Sequence, residues 1–392
     1  MLSKICIYCK GKKFLCGRIN CVYRFIFSAK KPVEEKLKER MFSPSSGIFV
    51  GRMNYPNVFA GPVNVISSEH PFPEEPSLLY GRDFEEIIGM RINLLRSKKL
   101  ANVAQVSGRF VENVQEVALS KKSVDVEVHF KRKPVFSPVF SHYFSPLGAS
   151  GELKSVALGE NPKIPQSVEK IISEPLKARE QVAALYERGC SETYIARVLS
   201  AGALGRERKL VPTRWSITAV DSVLADSLLK RIRNYGEIDK YLLWKNEYLD
   251  NRFVILFLPG KWYFEQFEAW FLEFSERKYH LVLEREGFGG RSDYAEKQGG
   301  GYYASRLAVC EKLEEMKRQA SVVVFREIYR GYILPLGVWV VRETVRHAFE
   351  KKPEAYSSLR EALSRAGQIL KVPMSEYVKK STLLAQKKLA DF

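Results

Sequence analysis

Alternating hydrophobic and polar positions mark the clearest strand of the chain, over residues 123–131. Its apolar face holds Val124, Val126, Val128 and Phe130. Its polar face holds Asp125, Glu127, His129 and Lys131. A period of two is typical of a half-buried β-strand. In residues 46–65, short apolar runs separated by glycines and prolines also predict β structure with tight turns.

Helical spacing of apolar residues predicts helices elsewhere. Residues 83–96 follow this spacing, and residues 178–202 form two helical halves around Gly189. The second pattern is typical of a helical hairpin, with a DNA-binding helix-turn-helix as the alternative. Further along, strands are predicted at 252–258, 279–284 and 321–329, with helices at 261–274 and 302–317 between them. This mixture predicts an α+β fold.

The chain divides into four predicted regions. Its 392 residues are enough for two domains that each have a hydrophobic core. A Ser/Pro/Phe-rich stretch, residues 134–151, is the candidate connection between them. We expect a zinc knuckle with a basic arm over 1–30, an α+β domain over 31–150, a mixed α/β domain over 151–375, and a flexible tail over 376–392.

The charge of the chain is strongly positive. It has 63 Lys and Arg against 45 Asp and Glu, a net charge of +18, and residues 1–40 contain eleven basic and three acidic side chains. Such an excess favours a polyanion, nucleic acid rather than a membrane surface. The longest apolar stretch, residues 331–341, is shorter than the ~20 residues of a spanning helix. We therefore expect a cytoplasmic protein without membrane contact.

Four cysteines lie close together near the start, in the pattern C-x2-C-x6-C-x4-C: Cys6, Cys9, Cys16 and Cys21. In a reducing compartment, clustered thiols are typical of a structural zinc site with four thiolate ligands. An iron–sulfur cluster, two disulfides and no site at all are the alternatives. Basic residues alternate with aromatics there, which suits contact with phosphates and bases, or simple packing of the knuckle.

The candidate residues for nucleic-acid binding are Lys10, Lys12, Lys13 and Arg18 in the knuckle, Arg214 in residues 211–222, and Arg291 in the glycine-rich residues 284–306. The candidate acidic residues for catalysis are Asp125, Glu127, Asp221, Asp293 and Glu296. Carboxylates that converge on one pocket can hold Mg²⁺ for phosphoryl chemistry. The alternative is that they lie on a solvated strand face and in a flexible loop.

The last seven residues, QKKLADF, repeat a polar, an aliphatic and an aromatic side chain at every third position: Gln386, Leu389 and Phe392. In a 3₁₀ turn these three side chains lie on one side. The spacing resembles the sliding-clamp motif Q-x-x-(aliphatic)-x-x-(aromatic), without the second aromatic that many examples carry. A frayed tail, or a tail docked on its own domain, is the alternative.

Several segments together resemble the archaeal Nre family of DNA repair proteins. They are FVGRMNYPNVFAGP (49–62), VDVEV (124–128), LVPTRWSITAVD (210–221), FLPGKWYFEQFEAW (257–270), GGGYYASR (299–306) and the four-cysteine knuckle. The resemblance implies an archaeal cytoplasmic protein of the DNA damage response. For members with a clamp motif, it also implies docking on the sliding clamp PCNA. It implies no particular reaction.

Two hypotheses of different classes follow. In the first, the chain is a DNA repair protein that binds DNA and docks on PCNA. In the second, it is a structure-specific, metal-dependent nuclease or a related nucleic-acid-processing enzyme that uses the candidate carboxylates. The sequence leaves open whether the protein is an enzyme.

We predict one zinc ion per chain, held by Cys6, Cys9, Cys16 and Cys21, because thiolates select zinc and so short a segment cannot bury a core of its own. Elemental analysis of protein purified without added metal should find zinc at a ratio near one. Cys190→Ser is the matched control and should keep the metal. A preparation with neither zinc nor iron would contradict the prediction.

Overall fold

The computed structural model describes residues 22–67, 75–136, 148–271, 279–332 and 334–385. The four cysteines of the predicted knuckle, its basic residues and the clamp motif lie outside these ranges. The chain forms two compact units, Met1–Val223 (unit 1) and Leu224–Phe392 (unit 2). None of the helices in the described ranges is long and apolar enough to cross a membrane.

Unit 1 contains a closed β-barrel. Its strands are β1 (Arg40–Val50), β2 (Asn57–Val65), β3 (Leu94–Asn102), β4 (Val124–Phe130) and β5 (Ser150–Leu158). They follow the order β1-β2-β3-β5-β4, and β4 pairs back to β1. Only the β3–β5 pair is parallel among these ladders. With a helix between β3 and β4, this is the strand order of an OB-fold.

The barrel closes because β1 belongs to two ladders. At Ser45 the strand pairs with Asn64 of β2 and with Val124 of β4, and the β2 register shifts between Ser45 and Ile48. The shift bends β1, as a β-bulge does. Inside, the amide of Asn64 donates to the Ser43 hydroxyl (3.2 Å) and accepts from the Ser97 hydroxyl (2.7 Å). This buried polar chain links three strands.

The helices of unit 1 are α1 (Val22–Lys36), α2 (Phe84–Ile92), α3 (Arg109–Leu119), α4 (Gln166–Ser173), α5 (Ala178–Glu187), α6 (Glu192–Ser200) and the first part of α7 (Thr213–Ile232), with a 3₁₀ helix at Pro76–Leu79. Strand β5 and helices α4 to α6, which follow the domain boundary predicted after residue 150, belong to unit 1.

Helices α5 and α6 confirm the predicted helical hairpin, with Gly189 at a positive φ of 78° in the turn. No residue of α6 is exposed. The Tyr194 hydroxyl donates to the Leu119 carbonyl (2.6 Å), and burial raises the pKa of Tyr194 to about 12. Arg197 donates to the Ser120 carbonyl (2.7 Å). Since α6 packs inward, it cannot serve as a recognition helix, and the helix-turn-helix alternative is wrong.

Unit 2 is built on a six-stranded sheet in the order β11-β6-β7-β10-β8-β9. The strands are β6 (Tyr241–Tyr248), β7 (Asn251–Leu258), β8 (Tyr263–Phe271), β9 (Tyr279–Glu286), β10 (Ser321–Ile328) and β11 (Glu354–Tyr356). The helices are α8 (Gly300–Met316), α9 (Trp339–Phe349), α10 (Leu359–Ile369), α11 (Met374–Lys380) and α12 (Thr382–Ala385). Strand β10 is parallel to β8 and antiparallel to β7.

Helices cover both faces of this sheet. On one face, Phe267 and Phe325 pack against Tyr377 of α11. On the other face, Phe264 packs against Tyr302 of α8, and Phe257 packs against Phe349 of α9. The sheet is therefore a central layer, which explains the continuous apolar composition of β7 and β10.

The mixed α+β class is confirmed, and so are the predicted strands 46–65, 123–131, 252–258, 279–284 and 321–329 and the helix 302–317. The predicted helix 261–274 is wrong, because residues 263–271 form β8. Glu265, Gln266 and Glu268 made the segment look amphipathic at helical spacing, but all three are buried. Residues 94–96 of the predicted helix 83–96 begin β3, and no strand was predicted at 150–158, where β5 lies.

Gly61→Ala should lower the free energy of unfolding by at least about 3 kcal/mol, because an added Cβ would lie 1.8 Å from the Ser97 carbonyl oxygen. Gly81→Ala is the matched control. It also has a positive φ, but no atom lies within 4 Å of its Cβ position, so about 1 kcal/mol is expected. Chemical denaturation measures both. Equal losses would show that the close approach of β2 and β3 is not required.

Candidate nucleic-acid interface

The loop between β1 and β2 presents an exposed tyrosine. Both ends of this loop, residues 51–56, are tied down: the Gly51 amide donates to the Phe59 carbonyl (2.7 Å), and the Asn57 amide donates to the Asn54 carbonyl (2.9 Å). Asn54 has a positive φ of 62°, a conformation that asparagine tolerates. Tyr55 follows it and is 46% exposed. The loop is thus held in shape while its aromatic side chain faces solvent.

A tryptophan from the start of α7 lies against this loop. Trp215 is 45% exposed, and its ring centroid is 5.4 Å from that of Tyr55, at an angle of 48°. The two segments are joined directly, because the Val50 amide donates to the Thr213 hydroxyl (2.8 Å). Large aromatic side chains normally bury most of their area. Two of them in contact on a surface form a platform open to a ligand.

Strand β2, which follows this loop, and its neighbour β3 carry a further aromatic ring beside a cation. Phe59 pairs in register with Leu100, which is exposed. The Nζ atom of Lys98 lies 5.3 Å from the centroid of the Phe59 ring. We call Tyr55, Phe59, Lys98, Leu100 and Trp215 the aromatic face of the barrel.

The charges beside the aromatic face are mainly positive. Burial lowers the pKa of Arg96, and burial together with the charge of Arg96 lowers the pKa of Lys98. Glu152 pairs in register with Lys98 and forms an ion pair with Lys131, whose hydrogen bond holds the pKa of that carboxyl below its usual range. A partly buried lysine whose pKa is lowered by burial and by a neighbouring cation gains from a nearby anion, such as a phosphate.

In an OB-fold, the face of strands 2 and 3 and the loop between strands 1 and 2 bind oligonucleotides or oligosaccharides. The aromatic face occupies this same region of the unit 1 barrel. Exposed rings beside cations can stack on bases while the cations contact phosphates. The arrangement is therefore chemically suited to a single strand of nucleic acid.

The five candidate catalytic residues lie in three elements of the chain. Asp125 is half-buried and Glu127 is exposed on β4, and Asp221 is buried in α7. In unit 2, Asp293 and Glu296 are exposed in the glycine-rich loop. Across the described ranges, no group of three or more His, Cys, Asp or Glu residues could hold a metal ion. A catalytic role for these carboxylates stays a prediction.

The glycine-rich loop is bound to carboxylates of its own unit. Glu284 accepts from Nη1 of Arg291 (3.0 Å) and from the Lys297 amide (2.9 Å). Arg291 also donates to the Asp293 carbonyl (2.7 Å). These bonds give Arg291 a role in holding the loop, and its predicted contact with nucleic acid stays a prediction. Arg214 is exposed and precedes Trp215 in the aromatic face.

Sequence reasoning missed Tyr55, Phe59, Lys98 and Trp215 as site residues. The chain contains a weak signal for two of them, because Tyr55 lies between Asn54 and Pro56, and Trp215 lies between two polar residues. Only the strand order shows that these segments share one surface.

Comparison with known proteins gives a consistent assignment over both units. The family model described as the N-terminal part of archaeal Nre matches residues 15–274, and the C-terminal model matches residues 286–392. DNA repair protein NreA of Archaeoglobus fulgidus is 40% identical over 379 residues, 94% of each chain. NreB of the same organism is 35% identical over 384 residues, covering 97% of this chain and 96% of NreB.

NreA of Haloferax volcanii is 35% identical over 359 residues, covering 87% of this chain and 85% of that protein. No solved structure is significantly similar to this chain.

Proposed function

Because this chain belongs to the archaeal Nre family, we propose that it acts in DNA repair and holds single-stranded DNA on the aromatic face of its barrel. The repair role is supported by its relatives, which are named as DNA repair proteins. The observation that carries the DNA contact is the exposed pair of Tyr55 and Trp215, whose rings are in contact. Lys98, beside Phe59, supplies a cation on the aromatic face.

The chemistry of a single strand fits this face. Unpaired bases expose π surfaces, and each base that stacks on an aromatic side chain contributes about 1–3 kcal/mol to binding. Phosphates between the bases would be attracted to Lys98 and to the exposed Arg214. Duplex DNA hides its bases and would leave the two rings in contact with water. The proposal therefore specifies the single-stranded form.

Trp215→Ala should weaken binding of single-stranded DNA roughly 5- to 50-fold, because it removes one stacking surface. Leu78→Ala, in the same unit and 65% exposed, is the matched control and should bind like the unaltered chain. Fluorescence anisotropy of a labelled oligothymidine measures the affinity. Tryptophan emission should fall on binding, and most of that change should be absent in Trp215→Phe.

Binding should also weaken as salt rises, since lysines and arginines displace cations from the phosphates. A chain that begins at residue 41 should have a smaller salt slope than the full chain, because it lacks the eleven basic residues of 1–40. The proposal fails if Trp215→Ala retains full affinity for the oligonucleotide.

We further propose that the chain docks on the archaeal sliding clamp PCNA through Gln386, Leu389 and Phe392, on the basis of their spacing in the sequence. One amide would form hydrogen bonds and two apolar side chains would fill a pocket on the clamp. Burying a leucine and a phenylalanine gives about 3–6 kcal/mol before the cost of ordering the segment. We therefore expect an affinity in the micromolar range, roughly −8 kcal/mol.

Calorimetric titration of the clamp tests this docking. Phe392→Ala, and a chain that ends at Ala385, should lose measurable binding because the aromatic anchor is gone. Ala390→Ser changes a position outside the motif and should keep the affinity of the unaltered chain. Clamp binding that persists in both shortened and Phe392→Ala chains would contradict the docking proposal.

A further inference from the structure

An exposed phenylalanine lies close to two cations at one end of the unit 2 sheet. Phe288 is 45% exposed and lies two residues beyond the end of β9. Its ring centroid lies 5.5 Å from Cζ of Arg233 and 6.0 Å from Nζ of Lys261. The three residues come from different parts of the chain, so the fold of unit 2 brings them together.

A tight turn holds Phe288 outward. The Gly290 amide donates to the Gly287 carbonyl (2.9 Å), and Gly290 has a positive φ of 87°. No atom lies within 4 Å of a Cβ position at Gly289, so the turn stands clear of its surroundings. At its base, the Trp262 indole donates to the carboxylate of Glu286 (3.0 Å), which fixes the end of β9.

The segments that carry the two cations are also fixed. Gln319 donates to the Tyr235 carbonyl (2.6 Å) and accepts from the Trp262 amide (3.4 Å). The Ser321 hydroxyl donates to the Lys261 carbonyl (2.7 Å). Gln319 thus links the segment after α7 to the loop before β8. The cluster is preorganised by hydrogen bonds that do not involve its own charged groups.

Neither Arg233 nor Lys261 has an ion-pair partner among the described residues. The Nε atom of Arg233 is shielded from solvent and has no hydrogen-bond acceptor in the described part of the chain. Arg318 is a third cation in this region. It is exposed, and its Nη1 lies 3.8 Å from the Cβ position of Gly236. Glu237 is an exposed carboxylate in the same region. Cations held near a ring without an anion are suited to a phosphate.

We propose that Phe288, Arg233 and Lys261 form a second contact for single-stranded DNA, in which the ring stacks on one base and the cations hold the adjoining phosphates. This inference rests on the proposed function, since it assumes that the chain binds a single strand. A single strand presents bases and phosphates in alternation, which matches a ring beside cations. An acidic protein surface would satisfy the cations and leave the ring without a role.

The test uses the full chain and a fluorescein-labelled oligothymidine of about 40 nucleotides, longer than the ~4–16 nucleotides that one OB-fold covers. Phe288→Ala should weaken binding roughly 5- to 20-fold, because one base then has no ring to stack on. Phe288→Trp should keep or increase the affinity. Tyr294→Ala is the matched control, because Tyr294 is 49% exposed in the same unit but stacks on Tyr303.

The cations are tested by salt dependence. The double variant Arg233→Gln with Lys261→Gln should reduce the slope of log affinity against log salt by about 1.4, or about 0.7 for each phosphate that is no longer neutralised. Thermal melting of each variant should match the unaltered chain, since Phe288 and Lys261 are exposed and Arg233 has no ion-pair partner to lose among the described residues. A smaller slope without any effect of Phe288→Ala would indicate an electrostatic surface only and would overturn the stacking contact.

Trp215→Ala, measured on the same oligonucleotide, separates the two proposals. Weaker binding by Trp215→Ala together with full affinity of Phe288→Ala overturns the second contact and leaves the barrel proposal standing. The reverse result supports the second contact and overturns the barrel site. If both variants bind at full strength, both proposals fail, and if both bind weakly, both are supported.

Discussion

Strand β1 pairs with both β2 and β4, and the closure of the unit 1 barrel depends on this double pairing. Ser45 faces Asn64 in one ladder and Val124 in the other, and the shift after Ser45 bends the strand enough to close the barrel. The Ser45 hydroxyl donates to the Gly47 carbonyl (2.8 Å) at the bend, which fixes its geometry. Closure removes free strand edges and sets the curvature of strands 2 and 3. Phe59 and Lys98 are neighbours because β2 and β3 are paired in this barrel.

Unit 2 contains several buried charged residues, although its central strands are mainly apolar. Glu268 pairs with Arg326 (2.7 Å) and Glu286 pairs with Arg306 (2.8 Å), all of them buried. Glu327 instead accepts from the amides of residues 371 and 372 and from the Tyr377 hydroxyl. Buried charge pairs add little stability once their desolvation is counted, but removal of one partner leaves an unpaired buried charge, which is strongly destabilising. In unit 2 these contacts join β8 to β10, β9 to α8, and β10 to residues 371–377.

The alternation in β4 was sufficient to predict that strand, because one of its faces meets the barrel interior and the other meets water. The same logic fails for β8, since both of its faces are covered and its glutamates are buried with partners. A periodicity argument assumes that polar side chains face solvent. The candidate site was harder to predict, because Tyr55 and Trp215 meet only through the tertiary fold. The residue types indicated nucleic-acid binding, but the strand order was needed to show which residues share one surface.

The hydrogen bond from the Val50 amide to the Thr213 hydroxyl joins residues 163 positions apart in the chain. While the protein is being made, the first hairpin leaves the ribosome long before its partner exists. The nascent barrel therefore has its β1–β2 loop without the support of α7, and Tyr55 without the indole that flanks it. A chain released early, before residue 213, would contain every strand of the barrel and lack half of the aromatic pair. The aromatic pair is thus completed late in synthesis, after the barrel strands are complete.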